Sequence, residues 1–143
     1  MKRYATLILT IVIALSAAAQ GTNSKWVNQM FDAKHKMLVE QMQLNSSQQE
    51  KFLAIYQAME REIYQVNRDA RSTMDNVAKK KNATDADYMQ AAKAMSNAKV
   101  KEGQIEAKYF TQLSKVLTKK QLFLLKQAET NFTRAMLQRK KNK

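Results

Sequence analysis

The stretch Leu117-Thr118-Lys119-Lys120-Gln121 lies between two helix-like patterns and sets the fold of this chain. Thr118 is a suitable N-cap, because its hydroxyl can accept a hydrogen bond from a backbone N–H in the first turn of a helix. Gln121 can return a bond to the Thr118 N–H and so complete a capping box. Leu117 and Leu122 have the spacing of a hydrophobic staple. The pentapeptide therefore predicts that one helix ends here and another begins.

A close copy of this stretch, Leu44-Asn45-Ser46-Ser47-Gln48, occurs 73 residues earlier. Asn45 or Ser46 can serve as its N-cap, and Gln48 takes the place of the final glutamine. A helix-starting motif that recurs at this distance divides the chain into two helical hairpins.

Composition favours an all-α fold. Pro is absent, Gly occurs twice, and no segment alternates apolar and polar residues as a strand would. The second apolar stripe is long enough for a helix of roughly 50 Å, which predicts an elongated or curved molecule rather than a compact bundle. Apolar residues recur every three or four positions in four segments, which predicts helices over about 24–43, from 45 or 46 to 79–81, about 84–116, and from 118 to the basic tail.

Two residues are expected to shape particular helices. Asn82 follows the lysines that end the second helix, and it can adopt the left-handed conformation that often closes a helix. Gly103 interrupts the third helix, where a glycine costs about 1 kcal/mol relative to alanine. We therefore expect a bend or a close contact at Gly103.

Residues 1–19 have the pattern of a cleaved signal peptide. Lys2 and Arg3 precede a short apolar run, and a stretch of alanines provides a cleavage site before Gln20. A transmembrane helix is the alternative, but it needs about 20 apolar residues. We expect an exported chain with no membrane span after cleavage, in which residues 20–143 form a single domain. Since the chain has no Cys, packing rather than disulfides must hold it together.

The formal net charge is +13, and +11 remains after removal of Lys2 and Arg3. Such an excess of positive charge indicates an acidic or polyanionic partner, a membrane surface, or simply solubility. Export argues against nucleic acid as the usual partner.

Residues suited to catalysis are few. Gly21 and Gly103 are the only glycines, so the sequence contains no Gly-rich phosphate loop. His35 is the only histidine, and no serine or carboxylate near it in sequence makes a convincing catalytic set. We therefore expect no enzyme activity, no ATP-driven step and no cofactor.

His35 is also the one candidate metal ligand. Asp32 precedes it by three residues, close to several methionines, and such a mixed set could suit nickel, cobalt or copper. A partly exposed surface histidine explains the same residues, because metal sites usually combine several strong ligands.

Basic residues on the second helix form the main candidate binding surface. Arg61, Arg68 and Arg71 fall nearly on one line, flanked by Leu53 and Tyr64. Arginine, tyrosine and leucine together suit a surface that is adhesive but soluble. A merely solvated helix face is the alternative.

Two further features bear on binding. Lys34 and Lys36 lie off the apolar stripe of the first helix and form a second candidate surface. The chain after the signal peptide contains eight methionines, which can fill a helical core or adapt to varied apolar groups on a partner.

The two L-[TN]-x-x-Q pentapeptides, on an exported, basic chain without Cys, resemble the Spy/CpxP family of periplasmic stress proteins. That family is marked by a twice-occurring LTxxQ motif. The later copy fits the motif in full, whereas the earlier one has Asn45 in place of Thr and keeps the capping chemistry. The resemblance implies a periplasmic, four-helix protomer that is long and curved. It also implies an antiparallel homodimer, shaped as a thin cradle with a basic concave face.

The resemblance also implies a function. Spy-like members are ATP-independent chaperones that hold unfolded or aggregating clients, and CpxP-like members damp an envelope-stress sensor kinase. Both functions are expectations for this chain, with unfolded proteins or the periplasmic domain of a sensor as partner. Metal-binding relatives carry several His or Cys ligands that this sequence lacks.

Overall fold

The computed structural model describes residues 23–141, and the expected signal peptide at residues 1–19 lies outside this range. The described chain is helical and contains no strand, so the all-α class is confirmed. Within residues 23–141, no helix is long and apolar enough to cross a membrane. The four helices are α1 (Asn23–Gln41), α2 (Ser46–Lys79), α3 (Asp85–Leu113) and α4 (Lys119–Lys141).

The helices belong to two compact units. The first unit combines the chain up to Leu53 with the chain from Ser114, so it contains α1, the first two turns of α2, and α4. The second unit, Ala54–Leu113, is a hairpin formed by the rest of α2 and by α3. Both copies of the pentapeptide therefore lie in the first unit, and the arginine-rich part of α2 lies in the second.

Both pentapeptides form capping boxes. The Thr118 N–H donates to Gln121 Oε1 at 3.0 Å, and the Gln121 N–H donates to Thr118 Oγ1 at 3.1 Å. In the earlier copy, the Asn45 N–H donates to Gln48 Oε1 at 3.3 Å, and the Gln48 N–H donates to Asn45 Oδ1 at 2.9 Å. Asn45 rather than Ser46 is therefore the N-cap of α2.

The two motif glutamines also bind each other. Gln48 Nε2 donates to Gln121 Oε1 at 2.8 Å, and Gln121 Nε2 donates to Gln48 Oε1 at 3.0 Å. Gln48 Nε2 also donates to the Val116 carbonyl at 3.2 Å. Each glutamine thus caps its own helix and pairs with the other, which joins the start of α2 to the start of α4. The first residue of each motif, Leu44 or Leu117, is buried.

α1 ends in a left-handed turn at Gln43, whose φ is 53°. The Gln43 N–H donates to the Glu40 carbonyl at 3.1 Å, and the Leu44 N–H donates to the Val39 carbonyl at 3.3 Å. These two bonds define a Schellman motif. The sequence indicated Asn82, after the second helix, as the residue able to adopt the left-handed conformation. That prediction is wrong, because Gln43 is the one non-glycine residue with positive φ in the described part of the chain.

The core of the first unit lies where α1 packs against α4. Large apolar side chains from both helices and from the start of α2 are excluded from solvent there. The fully buried ones are Leu38, Met42, Phe52 and Leu125.

In the second unit, α3 begins with a third capping box. The Thr84 N–H donates to Asp87 Oδ2 at 2.8 Å, and the Asp87 N–H donates to Thr84 Oγ1 at 3.2 Å. Lys80 Nζ lies 2.7 Å from the same carboxylate. The Lys80 bond, followed by the Thr84 bonds, lowers the pKa of Asp87 to about 2. The loop between α2 and α3 is therefore fixed at both ends by one aspartate.

α3 runs through Gly103 without a break. A Cβ at this position would meet nothing within 4 Å. The prediction of a close contact at Gly103 is therefore wrong within this unit, because the glycine faces solvent rather than a neighbouring helix.

Candidate functional site

The arginines predicted to form a binding surface are accessible on α2 in the second unit. Arg61 and Arg68 are exposed, Arg71 is half-buried, and Tyr64 is 44% exposed. At 3.6 residues per turn, these four side chains occupy a sector of about 80° around the helix. We call them the Arg–Tyr face. Leu53, the expected fifth member, belongs to the first unit and is half-buried.

A polar cluster links α2 to α3 close to the Arg–Tyr face. Lys108 Nζ lies 2.9 and 2.7 Å from the two carboxylate oxygens of Glu62, and the Tyr109 hydroxyl donates to the same carboxylate. Lys108 Nζ also lies 4.6 Å from the centre of the Tyr109 ring, within the range of a cation–π contact. Arg61 acts electrostatically on Tyr109, which places this arginine of the Arg–Tyr face near the cluster.

The protonation behaviour of this cluster follows from its hydrogen bonds. The bond from Lys108, then that from Tyr109, lowers the pKa of Glu62. The same bonds raise the pKa of Lys108 and, with partial burial, the pKa of Tyr109. Sequence reasoning missed the cluster because Glu62 and Lys108 are 46 residues apart. Only the register of α2 against α3 brings them together.

α3 carries a second apolar face on the side opposite its buried face. Met89, Val100 and Phe110 are 58%, 59% and 43% exposed. Small residues separate them at helical spacing, and all are exposed. We call this surface the outer α3 face, and it consists of Met89, Ala92, Ser96, Val100, Gly103, Ala107 and Phe110. The face contains no charged residue, although the protein is strongly basic.

The outer α3 face shows why one apolar stripe described α3 incompletely. Ala91, Ala98 and Tyr109 are buried in the core of the hairpin, as the apolar periodicity predicts. Ala92, which directly follows the buried Ala91, is exposed. A helix with apolar residues on two sides indicates two contacts, and the second unit provides only one of them.

The second candidate surface, Lys34 and Lys36, lies on α1 in the first unit, apart from the Arg–Tyr face in sequence and unit. Lys36 is exposed, whereas Lys34 is half-buried. Lys34 Nζ lies 6.0 Å from the centre of the Phe132 ring of α4. Lys34 therefore contributes to the packing between α1 and α4, which reduces its value as a binding residue.

His35, the candidate metal ligand, packs its ring against Phe31 with the ring centres 6.2 Å apart. Among residues 23–141, no group of three or more His, Asp or Glu side chains is arranged to hold a metal ion. The mixed Asp32 and His35 set therefore gains no further ligand of these types from the described chain.

Comparison of the chain with known protein families, with curated proteins and with solved structures found no match. The likeness to Spy/CpxP proteins therefore rests on the two motifs and the helical architecture alone.

Proposed function

We propose that this protein is an ATP-independent periplasmic holdase for unfolded or aggregation-prone proteins. The Arg–Tyr face is the observation that carries the proposal. It presents three arginines and a tyrosine on one side of α2, on a chain whose net charge of +13 becomes +11 once Lys2 and Arg3 are removed with the expected signal peptide. The resemblance to Spy-like chaperones agrees with this function, and damping of a sensor kinase is the alternative that the resemblance offers.

The chemistry of the Arg–Tyr face suits loose binding of many sequences. Long-range attraction between a basic surface and acidic client segments increases the rate of encounter. The stems of arginine and the ring of Tyr64 then offer apolar contact area to client side chains. Contacts of this kind need no fixed geometry in the client, so they hold an unfolded chain without selecting one sequence.

Exposed apolar side chains elsewhere in the second unit extend this capacity. Met74 is 41% exposed near the end of α2, and Tyr88 is 57% exposed near the start of α3. A flexible methionine adapts its shape to different apolar groups.

The direct test measures aggregation of a chemically denatured model protein, diluted into buffer without ATP, at stoichiometric amounts of the mature chain. We expect suppression that weakens as salt increases, because salt screens the encounter. Absence of suppression at low salt and at physiological salt alike would overturn the holdase proposal.

Two charge-reversal variants, one on the Arg–Tyr face and one elsewhere, test where clients bind. Arg61, Arg68 and Arg71 changed together to Glu should abolish most of the suppression while leaving helical content unchanged. The matched control reverses three exposed lysines outside the Arg–Tyr face and alters net charge by the same amount. Its positions are Lys51, Lys101 and Lys115. Equal losses in both variants would show that net charge, rather than the Arg–Tyr face, accounts for binding.

We further propose that two copies of the chain associate through the outer α3 face. Its apolar side chains lie on a seven-residue surface without charge, and the open space above Gly103 allows a second helix to approach. In an antiparallel pair centred near Gly103, Lys99 of one copy would lie opposite Glu106 of the other, and the reverse. Burying this face would remove three large apolar side chains from water.

Sedimentation of the mature chain tests this association. Val100→Glu should shift the protein from dimer to monomer, because a buried unpaired carboxylate is costly. Phe123→Glu is the matched control, since Phe123 is 66% exposed but lies on α4. A monomeric wild-type chain, or a dimer that Val100→Glu leaves intact, would exclude the outer α3 face as the contact.

A further inference from the structure

A polar pair lies inside the hairpin of α2 and α3. Asn67 and Glu102 are only 4% and 8% exposed. Asn67 Nδ2 donates to the Ile63 carbonyl at 3.1 Å and to Glu102 Oε2 at 3.5 Å. Asn67 Oδ1 is buried, and no donor reaches it within the described residues. A buried acceptor without a donor is destabilising. The pair therefore lacks one hydrogen-bond donor, the one that would bind Asn67 Oδ1.

The first unit contains the complete form of such a pair. Gln48 and Gln121 each donate one hydrogen bond to the other and accept one in return, at 2.8 and 3.0 Å. Between Asn67 and Glu102 only the bond from Asn67 Nδ2 to Glu102 Oε2 is present, and an ionised carboxylate can accept hydrogen bonds but cannot donate one in return. A carboxylic acid has the missing O–H, which Asn67 Oδ1 can accept.

We propose that Asn67 and Glu102 form an acid-strengthened latch between α2 and α3. The latch closes when Glu102 takes up a proton from water and donates it in a hydrogen bond to Asn67 Oδ1, while the carboxyl C=O continues to accept from Asn67 Nδ2. It loosens when Glu102 returns the proton to water and leaves Asn67 Oδ1 without a donor. The latch controls how firmly the hairpin is held, and it does not depend on client binding.

The surroundings of Glu102 favour uptake of the proton. Burial is the largest influence and raises the pKa of Glu102, because the charged form loses its hydration. The negative charge of Glu106 on α3 also raises it, whereas the Asn67 bond and the positive charge of Lys99 oppose this shift. On α2 the group that faces Glu102 is the neutral Asn67, and Arg71 follows Asn67 by one helical turn.

The direction of the pH effect follows from this shift. A carboxyl whose pKa is raised on folding adds stability below its ordinary value of 4.5, and this stability is lost as the pH rises through the folded pKa. Glu62 and Asp87 have the opposite effect on the pH dependence of stability. Their pKa values are lowered on folding, so the stability that they add is lost as the pH falls. A comparison at Glu102 alone must therefore separate the latch from these other carboxylates.

Glu102→Gln provides that comparison, because the glutamine amide donates permanently where the acid donates only when protonated. Thermal unfolding and corrected hydrogen-exchange protection of α2 and α3 are measured for the full mature chain at pH 4 and pH 7.5. We expect equal Tm and protection at pH 4, and a higher Tm with greater protection for Glu102→Gln at pH 7.5. A difference between the two proteins that is the same at both pH values, or a variant less stable at both, would overturn the latch.

Two further measurements distinguish the latch from burial alone. In an Asn67→Ala background, Glu102→Gln should lose most of its advantage at pH 7.5, and an undiminished advantage would show that Asn67 is not the partner. In case these variants do not fold, ¹³C-carboxyl NMR of the wild-type chain follows Glu102 directly. A titration midpoint at or below 4.5 would overturn the proposal without any variant.

Discussion

Replacing Gln121 with Ala tests whether the paired motifs act as one structural joint. The substitution removes the bond that caps α4 through the Thr118 N–H, and it also removes both hydrogen bonds of the pair with Gln48. Each such bond contributes about 0.5–1.5 kcal/mol net. Because the pair is only partly buried, we expect a loss of about 2–3 kcal/mol in the free energy of unfolding. Thr118→Ala removes only the hydroxyl cap and should cost about 1 kcal/mol.

Urea unfolding of four proteins measures the coupling between the glutamines: wild type, Gln48→Ala, Gln121→Ala and the double variant. The two pair bonds predict a coupling energy of about 1–2 kcal/mol. Gln48 keeps its contacts to Asn45 and Val116 in Gln121→Ala, so that variant should fold. A coupling energy near zero, or a Gln121→Ala loss no larger than that of Thr118→Ala, would refute the joint and leave two independent caps.

Three further substitutions test other features of the structure. Gln43→Gly should stabilise the protein by about 1 kcal/mol in urea unfolding, because glycine adopts positive φ without strain, and a destabilised variant would contradict the left-handed turn. Gly103→Ala should raise helix stability by up to about 1 kcal/mol while weakening self-association in sedimentation, and an unchanged dimer would place the contact elsewhere. Lys108→Met should reduce stability at neutral pH. The bond from Lys108 lowers the pKa of Glu62 in the folded chain, so the ionised carboxylate stabilises the fold at pH values above 4.5, the ordinary pKa of this group. This difference should shrink as the pH falls through the folded pKa, and a pH-independent loss would argue against the ion pair.

Local chemistry made the helix starts predictable from sequence. A capping box depends on residues three positions apart, so Thr118 with Gln121, and Thr84 with Asp87, could be identified before any tertiary structure was known. The Asn45 copy left two possible caps, because asparagine and serine have nearly equal preference for that position. In the folded chain, the hydrogen bond from the Gln48 N–H to Asn45 Oδ1 then identifies Asn45 as the N-cap.

Contacts between distant residues could not be predicted in the same way. The pairing of Gln48 with Gln121 depends on two helix starts meeting in space, although each glutamine was correctly placed in its own box. The position of the left-handed residue, Gln43, was likewise not predicted from the sequence. Asparagine is the better candidate by intrinsic preference, yet Gln43 adopts this conformation in a helix end that carries the buried Leu44. The left-handed conformation costs a non-glycine residue about 1–2 kcal/mol, and residue preference alone did not locate it in this chain.

The candidate binding site was predictable only in part. Helical periodicity placed the arginines of the Arg–Tyr face on one side of α2, because that inference needs only the geometry of a single helix. Assigning one apolar stripe to α3 hid its second face, since a helix that contacts two partners has no single direction of hydrophobicity. The burial of Glu102 could not be predicted from the sequence either. A charged residue one turn from another charge usually lies at the surface, and only the packing of α3 on α2 shows otherwise.

The division of roles between the two units gives the proposed function a distinct mutational signature. The pentapeptides hold helix ends in the first unit, and their polar side chains are occupied by capping and by each other. They have little capacity left for a client, so Thr118→Ala should lower stability and leave client selectivity unchanged. The Arg–Tyr face lies in the second unit, and Arg61, Arg68 and Tyr64 are exposed there. Charge reversal there should do the opposite and alter binding at nearly constant stability. If motif variants changed selectivity at constant stability, the pentapeptides themselves would have to contact the client, and the separation of joint from binding surface would fail.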